Sequence, residues 1–156
     1  MININKDLIQ QLTDRIEAGQ DSELRAWANG LHATDIAEII DQMRLEAASY
    51  LYRLLDTEVK ADVLIELDED QRASLLSGMT AEEIAGGVMG QLDSDDATDV
   101  ISELPPNKAE EVIGHLEDDE RASDIRDLLN YEEGTAGAMM AKELVKVQAE
   151  WTVTRA

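Results

Sequence analysis

The sequence predicts an all-α fold, a solenoid-like superhelix of short paired helices, followed by a tail of different character. Three observations carry this. Segments of one plan recur at a period of ~24 residues; the apolar residues inside them keep helical spacing; and no run before residue 140 alternates as an exposed strand would. The recurring segments are MRLEAASYLYRLLD from Met43, LDEDQRASLLSGM from Leu67, LDSDDATDVISEL from Leu92 and LEDDERASDIRDLL from Leu116. Their starts lie 24, 25 and 24 residues apart. Each has an apolar residue, an acidic turn, and a helix with small residues at its start. Between them sit TDIAEIIDQM, EVKADVLIEL, AEEIAGGVMGQ and NKAEEVIGHL, so each unit is a pair of short helices. Constant pairs of this kind stack into a superhelix.

The elements follow in chain order. Two helices near 6–18 and 22–29, separated by Gly19, cap the start of the superhelix. Asp68 with Gln71 reads as a loose capping box and Thr80 with Glu83 as a full one. GGVMG at 86–90 has no lysine and no preceding strand, so it is no phosphate cradle; its small residues point to close helix packing. Ala97, Val100, Ile101 and Leu104 fall at i, i+3, i+4 and i+7, a buried stripe. Pro105 and Pro106 stop one helix, and Pro106 can open the next without losing a needed donor. The superhelical domain is assigned to residues 1–130. The tail, 131–156, breaks the period with Gly134, Gly137 and the β-rich ELVKVQ. It reads as a short helix, a strand and the start of another helix, the opening of a second domain whose body lies outside this chain. A strand without its sheet is not stable alone, so the tail is expected to be poorly packed or borrowed by a neighbour.

Composition narrows the function. The chain has 156 residues, 44% hydrophobic, with two Trp, three Tyr and no Phe. Ala, Leu, Ile and Val must therefore fill the core. The absence of cysteine removes disulfides and thiolate metal sites and points to a reducing cytosol. The opening MININKDLIQQLTDRIEAGQ has acids where a signal peptide has an apolar run, and no stretch approaches the ~20 apolar residues of a membrane helix. Thirty-five acids against thirteen bases give a net charge of −22, which argues against nucleic acid and anionic lipid as partners. Such a surface attracts cations.

The acids of DSDDATD concentrate this charge. On a helical wheel Asp95 and Asp99 stand one turn apart, opposite the buried stripe; Glu103 continues that outward line, and Asp96 lies to the side. A plain helix start accounts for part of this, since acids in a first turn favour the dipole and Asp93 or Ser94 can cap it. The run opens like a calcium loop but lacks its glycine and its final glutamate. His32 and His115 stand alone and read as structural, Met139 and Met140 as packing residues. No constellation supports catalysis.

LDSDDATDVISELP, followed by YEEGTAGAMMAKELVKVQAEWTV, resembles the cytosolic amino-terminal region of the MgtE family of magnesium transporters, over most of the chain from about Leu31. In that family an acidic superhelix precedes a pair of cystathionine-synthase-type (CBS) domains, a connecting helix and a transmembrane pore. TAGAMM with WTV resembles the linker and opening strand of the first CBS domain, here truncated at Ala156. The resemblance implies a regulatory domain, not an enzyme. In it Mg2+ bridges acids of the superhelix to acids of the CBS domains and the pore closes. At low Mg2+ like charges repel and the domain swings away. It carries metal binding onto Asp95 and Asp99 and onto Asp62, with any ion weak and shared. It further implies a homodimeric parent protein at the cytoplasmic face of the membrane, while the fragment itself is soluble and can be monomeric. The physics agrees: two carboxylates ~6 Å apart in water repel by roughly 0.7 kcal/mol, and a divalent ion reverses the sign. The alternative is a protein-interaction superhelix without ion sensing, since such repeats also resemble part of the flagellar switch protein FliG; the TAGAMM…WTV tail speaks against it.

Overall fold

A computed structural model describes residues 3–132 and 135–143 of the chain. Among these residues lie α1 (Lys6–Glu17), α2 (Asp21–Ala28), α3 (Ala33–Gln42), α4 (Leu45–Leu54), α5 (Thr57–Glu66), α6 (Glu69–Ser77), α7 (Ala81–Ile84), α8 (Ser94–Ser102), α9 (Pro106–Gly114) and α10 (Asp119–Leu128). A wider π-helical turn, Ala85–Met89, continues α7. No strand occurs among the described residues. The even helices begin at residues 21, 45, 69, 94 and 119, and the odd ones from α3 at 33, 57, 81 and 106. The repeat read from the sequence is thus the repeat of the fold.

Such short helices are marginal in water, so packing must hold them. Helices two apart in the chain stack in two rows. One row is α3, α5, α7 with its π-helical end, and α9; the other is α2, α4 and α6, then α8 and α10. The step from α6 to α8 is looser than the other steps. A continuous core runs from Leu12 to Ile125. The predicted stripe belongs to it: Ala97, Val100, Ile101 and Leu104 are all buried. Leu67 and Leu92, the apolar residues ahead of the acidic turns, are buried too and anchor the turns.

Boundaries have local causes. Gly19 has φ of +66°, a left-handed turn between α1 and α2 that glycine adopts without strain. Thr80 Oγ1 accepts from the Glu83 N–H at 3.1 Å, and Glu83 Oε2 accepts from the Thr80 N–H at 2.8 Å, a complete capping box. Asp68 accepts from the Gln71 N–H at 2.8 Å, but the Gln71 amide donates to Asp41 instead of reaching back. Pro106 opens α9.

Two expectations need correction. Gly86, Gly87 and Gly90 face open space, with nothing within 4 Å of where a Cβ would stand. Packing at this turn comes from Ala85, Val88 and Met89 instead. In the tail, residues 135–143 form turns and irregular backbone rather than a short helix, and they are tied to the superhelix by several polar contacts. The expected strand and second-domain opening fall on residues 144–156, outside the described residues.

Neighbouring units are joined at helix ends. Lys108 Nζ, on α9, donates to the carbonyls of Leu76 at 2.6 Å and Met79 at 2.7 Å, where α6 ends. A cation here satisfies orphaned carbonyls and sits at the negative end of the dipole. Lys108→Met keeps the aliphatic stem and loses these bonds. It should cost about 1.5–3 kcal/mol, as hydrogen bonds to charged groups do. Urea unfolding checks this, and an unchanged midpoint and slope would count against the joint.

Candidate metal centre

Helix α8 begins in the acidic DSDD run. Asp93 stands just ahead of it in extended backbone, and its side chain makes no capping hydrogen bond. Asp95 and Asp96 occupy the first turn. A carboxylate preceding a helix can fold back over that turn, toward the unpaired N–H groups and positive dipole end. Here carboxylate oxygens of Asp93, Asp95 and Asp96 lie within 4.8 Å of one another, the one such group of potential metal ligands among the described residues. Of the acids singled out in the sequence, only Asp95 belongs to this trio. Asp99 lies one turn further along, exposed, and Asp62 is exposed on α5. By sequence alone Asp93 is a capping residue and Asp96 a lateral one. Their signal was the DSDD run itself.

The trio is strained electrostatically. Partial burial pushes the Asp96 carboxyl above its usual range, and the charges of Asp95, Asp93 and Asp99 add to this against the pull of Arg72. A hard divalent cation relieves such repulsion, taking carboxylate oxygens and keeping several waters.

What caps α8 is remote in sequence. Glu143 Oε1 accepts from the Ser94 N–H and Oε2 from the Ser94 hydroxyl, both at 2.9 Å. The Ser94 hydroxyl also accepts from the Lys142 N–H at 2.9 Å. Neither Asp93 nor Ser94 closes the helix start by itself, as had been expected; a carboxylate 49 residues away does. Burial pushes the Glu143 pKa up, but the hydrogen bonds from its own backbone and from Ser94, with the Arg121 charge, outweigh burial and leave it lowered.

Beside the trio runs a groove of about 480 Å³, where α6 and α8 part. Glu69, Arg72, Asp96, Asp99 and Glu103 line its polar side; Ile65, Leu129, Tyr131 and Met139 line the apolar side. Glu103 does not point outward as the wheel suggested. It is half-buried, with Oε2 3.0 Å from Arg72 Nε, an ion pair that spans the groove. Partial burial raises the Glu103 pKa, Arg72 opposes, and Glu69 and Asp99 add to the rise. Met139 and Met140 are exposed rather than packed in the core, Met139 on the groove wall. His32 and His115 are exposed at helix ends.

Comparison with curated protein sequences finds no match. A solved structure, "Crystal structure of the soluble part of a magnesium transporter", is similar with a TM-score of 0.74 at 25% sequence identity. The likeness covers 90% of this chain and 55% of that one, so the chain spans little more than half its length. Residues 31–134 match the family described as the MgtE intracellular N domain. With the helical repeat already in place, this match decides the matter of kinship: the chain belongs to the MgtE intracellular N domain family.

Proposed function

We propose that this chain is the cytosolic magnesium-sensing regulatory domain of a magnesium transporter. The observation that carries the reading is the convergence of Asp93, Asp95 and Asp96 at the start of α8, in a chain similar to the soluble part of such a transporter. Asp95 and Asp99, with Asp62 on α5, present carboxylates to Mg2+ ions shared with acids of CBS domains in the same protein. Bound ions hold the domains together and favour a closed pore. When Mg2+ falls, the net charge of −22 drives them apart, and salt screens that repulsion. No described helix is long and apolar enough to cross a membrane, so the pore would belong to other parts of a homodimeric parent protein.

For the chain alone, this reading predicts Mg2+ binding in the millimolar range, with stabilisation that follows mass action and fades as monovalent salt rises. Titration calorimetry revealing one tight, salt-insensitive site would overturn it. Asp95→Asn with Asp99→Asn should weaken Mg2+ binding while moving stability by about 0.5 kcal/mol or less, as surface changes do. In the full-length protein the double variant should need more Mg2+ to close the pore; patch-clamp recording with an unchanged midpoint would return both aspartates to a plain helix start.

Protons compete for the same oxygens. Because Asp96 titrates above the usual carboxyl range, it adds stability when protonated and withdraws it as pH rises through its folded pKa. Asp96→Asn should therefore stabilise the chain at neutral pH, the gain vanishing once acid protonates the native carboxyl. Urea unfolding across a pH series checks this, and a pH-independent difference would contradict it.

A further inference from the structure

Large apolar side chains left in water are few on this chain, and they gather in one place. Seven are exposed among the described residues, and four of them, Ile65, Leu129, Tyr131 and Met139, line the groove where α6 and α8 part. Single exposed apolar residues need no explanation, but a cluster of them in a cleft marks an interaction surface. The cleft is held open by its own backbone. A Cβ at Gly137 would collide with the Tyr131 ring, so segment 135–143 packs closely on that ring. Lys142, bonded to Asp127 at 2.7 Å, and Glu143, bonded to Ser94 at 2.9 Å, anchor the same segment. The rest of the groove is acidic. Asp96, Asp99 and Glu103 fall at i, i+3 and i+7 along α8, a row about 10 Å long at the helical rise, and Glu69 of α6 joins them. Arg72 is the one base among the described lining residues, and it is already paired with Glu103.

We infer that this groove is a docking site for a basic amphipathic helix, which lays Lys or Arg along the acids of α8 and apolar side chains against Ile65, Leu129, Tyr131 and Met139. The inference goes beyond the proposed function and does not use its ion. Charge selects the occupant. Four acids against one base favour a cationic partner, whereas a second copy of this chain brings its own net charge of −22 and is repelled. Spacing selects a helix. Carboxylates one helical turn apart match cations one turn apart on a helix laid alongside, the geometry of helix-in-groove recognition. The apolar lining selects an amphipathic one, because a purely cationic segment would leave Ile65 and Met139 wet. A volume of about 480 Å³ takes a few anchoring side chains, the kind of contact that dominates such interfaces.

Fluorescence anisotropy with two labelled peptides tests this on the whole chain, without Mg2+ and at about 150 mM NaCl to screen general attraction. One peptide is a Lys/Leu/Ala helix with lysines one turn apart on one edge and leucines on the adjoining face. The other has the same composition, scrambled. The ordered peptide should bind about tenfold more tightly or better. Ile65→Ser with Met139→Ser should weaken it by about tenfold, while Leu45→Ser with Tyr50→Ser, exposed apolar residues of α4 outside the groove, should leave it unchanged. Glu69→Gln with Asp99→Asn should weaken it more than Glu110→Gln with Glu117→Gln, which removes the same charge away from the groove. Every changed residue is exposed, and far-ultraviolet circular dichroism checks the fold of each variant. Equal affinity for the two peptides, or equal losses in groove and remote variants, would mean attraction to net charge alone and overturn the inference. Self-association of the wild type that Ile65→Ser with Met139→Ser abolishes, followed by sedimentation, would give the groove to a second copy and overturn it as well.

Discussion

Short helices end in carbonyls that no residue of the same helix can satisfy, and this chain closes them with its scarce cations. Lys108 reaches the end of α6, Arg53 donates to the Gly78 carbonyl at 3.1 Å, and Arg121 donates to the Met89 carbonyl at 2.9 Å. The partners are 25 to 32 residues apart, so each bond ties one helical unit to another. Apolar burial supplies the bulk of the stability, while these bonds fix how one unit sits on the next. The arrangement also explains the outer surface. With thirteen bases for thirty-five acids and several bases turned inward to carbonyls, the acids outside must face one another.

That imbalance is concentrated where α6 and α8 part. Arg72 sits there against Glu103, with Glu69, Asp96 and Asp99 around the same groove. One guanidinium cannot neutralise four carboxylates; partial burial raises the pKa values of Asp96 and Glu103, and the neighbouring acids add to the rise. The start of α8 adds Asp93 and Asp95. A site so short of positive charge changes its energy sharply when a divalent cation arrives. That property links the composition of the chain to its proposed role.

What could be read from the sequence was local. The repeat, the Thr80–Glu83 box, the Gly19 turn, the Pro106 start and the stripe from Ala97 to Leu104 each depend on residues within about two helical turns, and spacing alone reveals them. What could not be read depended on the stacking of distant units. Glu103 lies on the polar side of its helical wheel, yet Arg72, from the preceding unit, draws it into the groove. Nothing in DSDD announces that Glu143 will cap it. The wheel also separated Asp95 from Asp93, because Asp93 precedes the helix and its carboxylate reaches the first turn by folding back. The glycines of GGVMG misled for a similar reason: small residues are compatible with close packing but do not require it, and these face open space.

The proposed role depends on a divalent cation binding at the acidic start of α8. Crystals of the chain soaked in Mn2+, an oxygen-seeking substitute for Mg2+ with a strong anomalous signal, would locate the ion directly. An anomalous peak is expected within coordination distance of the Asp95 carboxylate, with Asp93, Asp96 or Asp99 as its companions. Peaks confined to other acids of the surface, with none at α8 under occupancy sufficient to fill them, would contradict it.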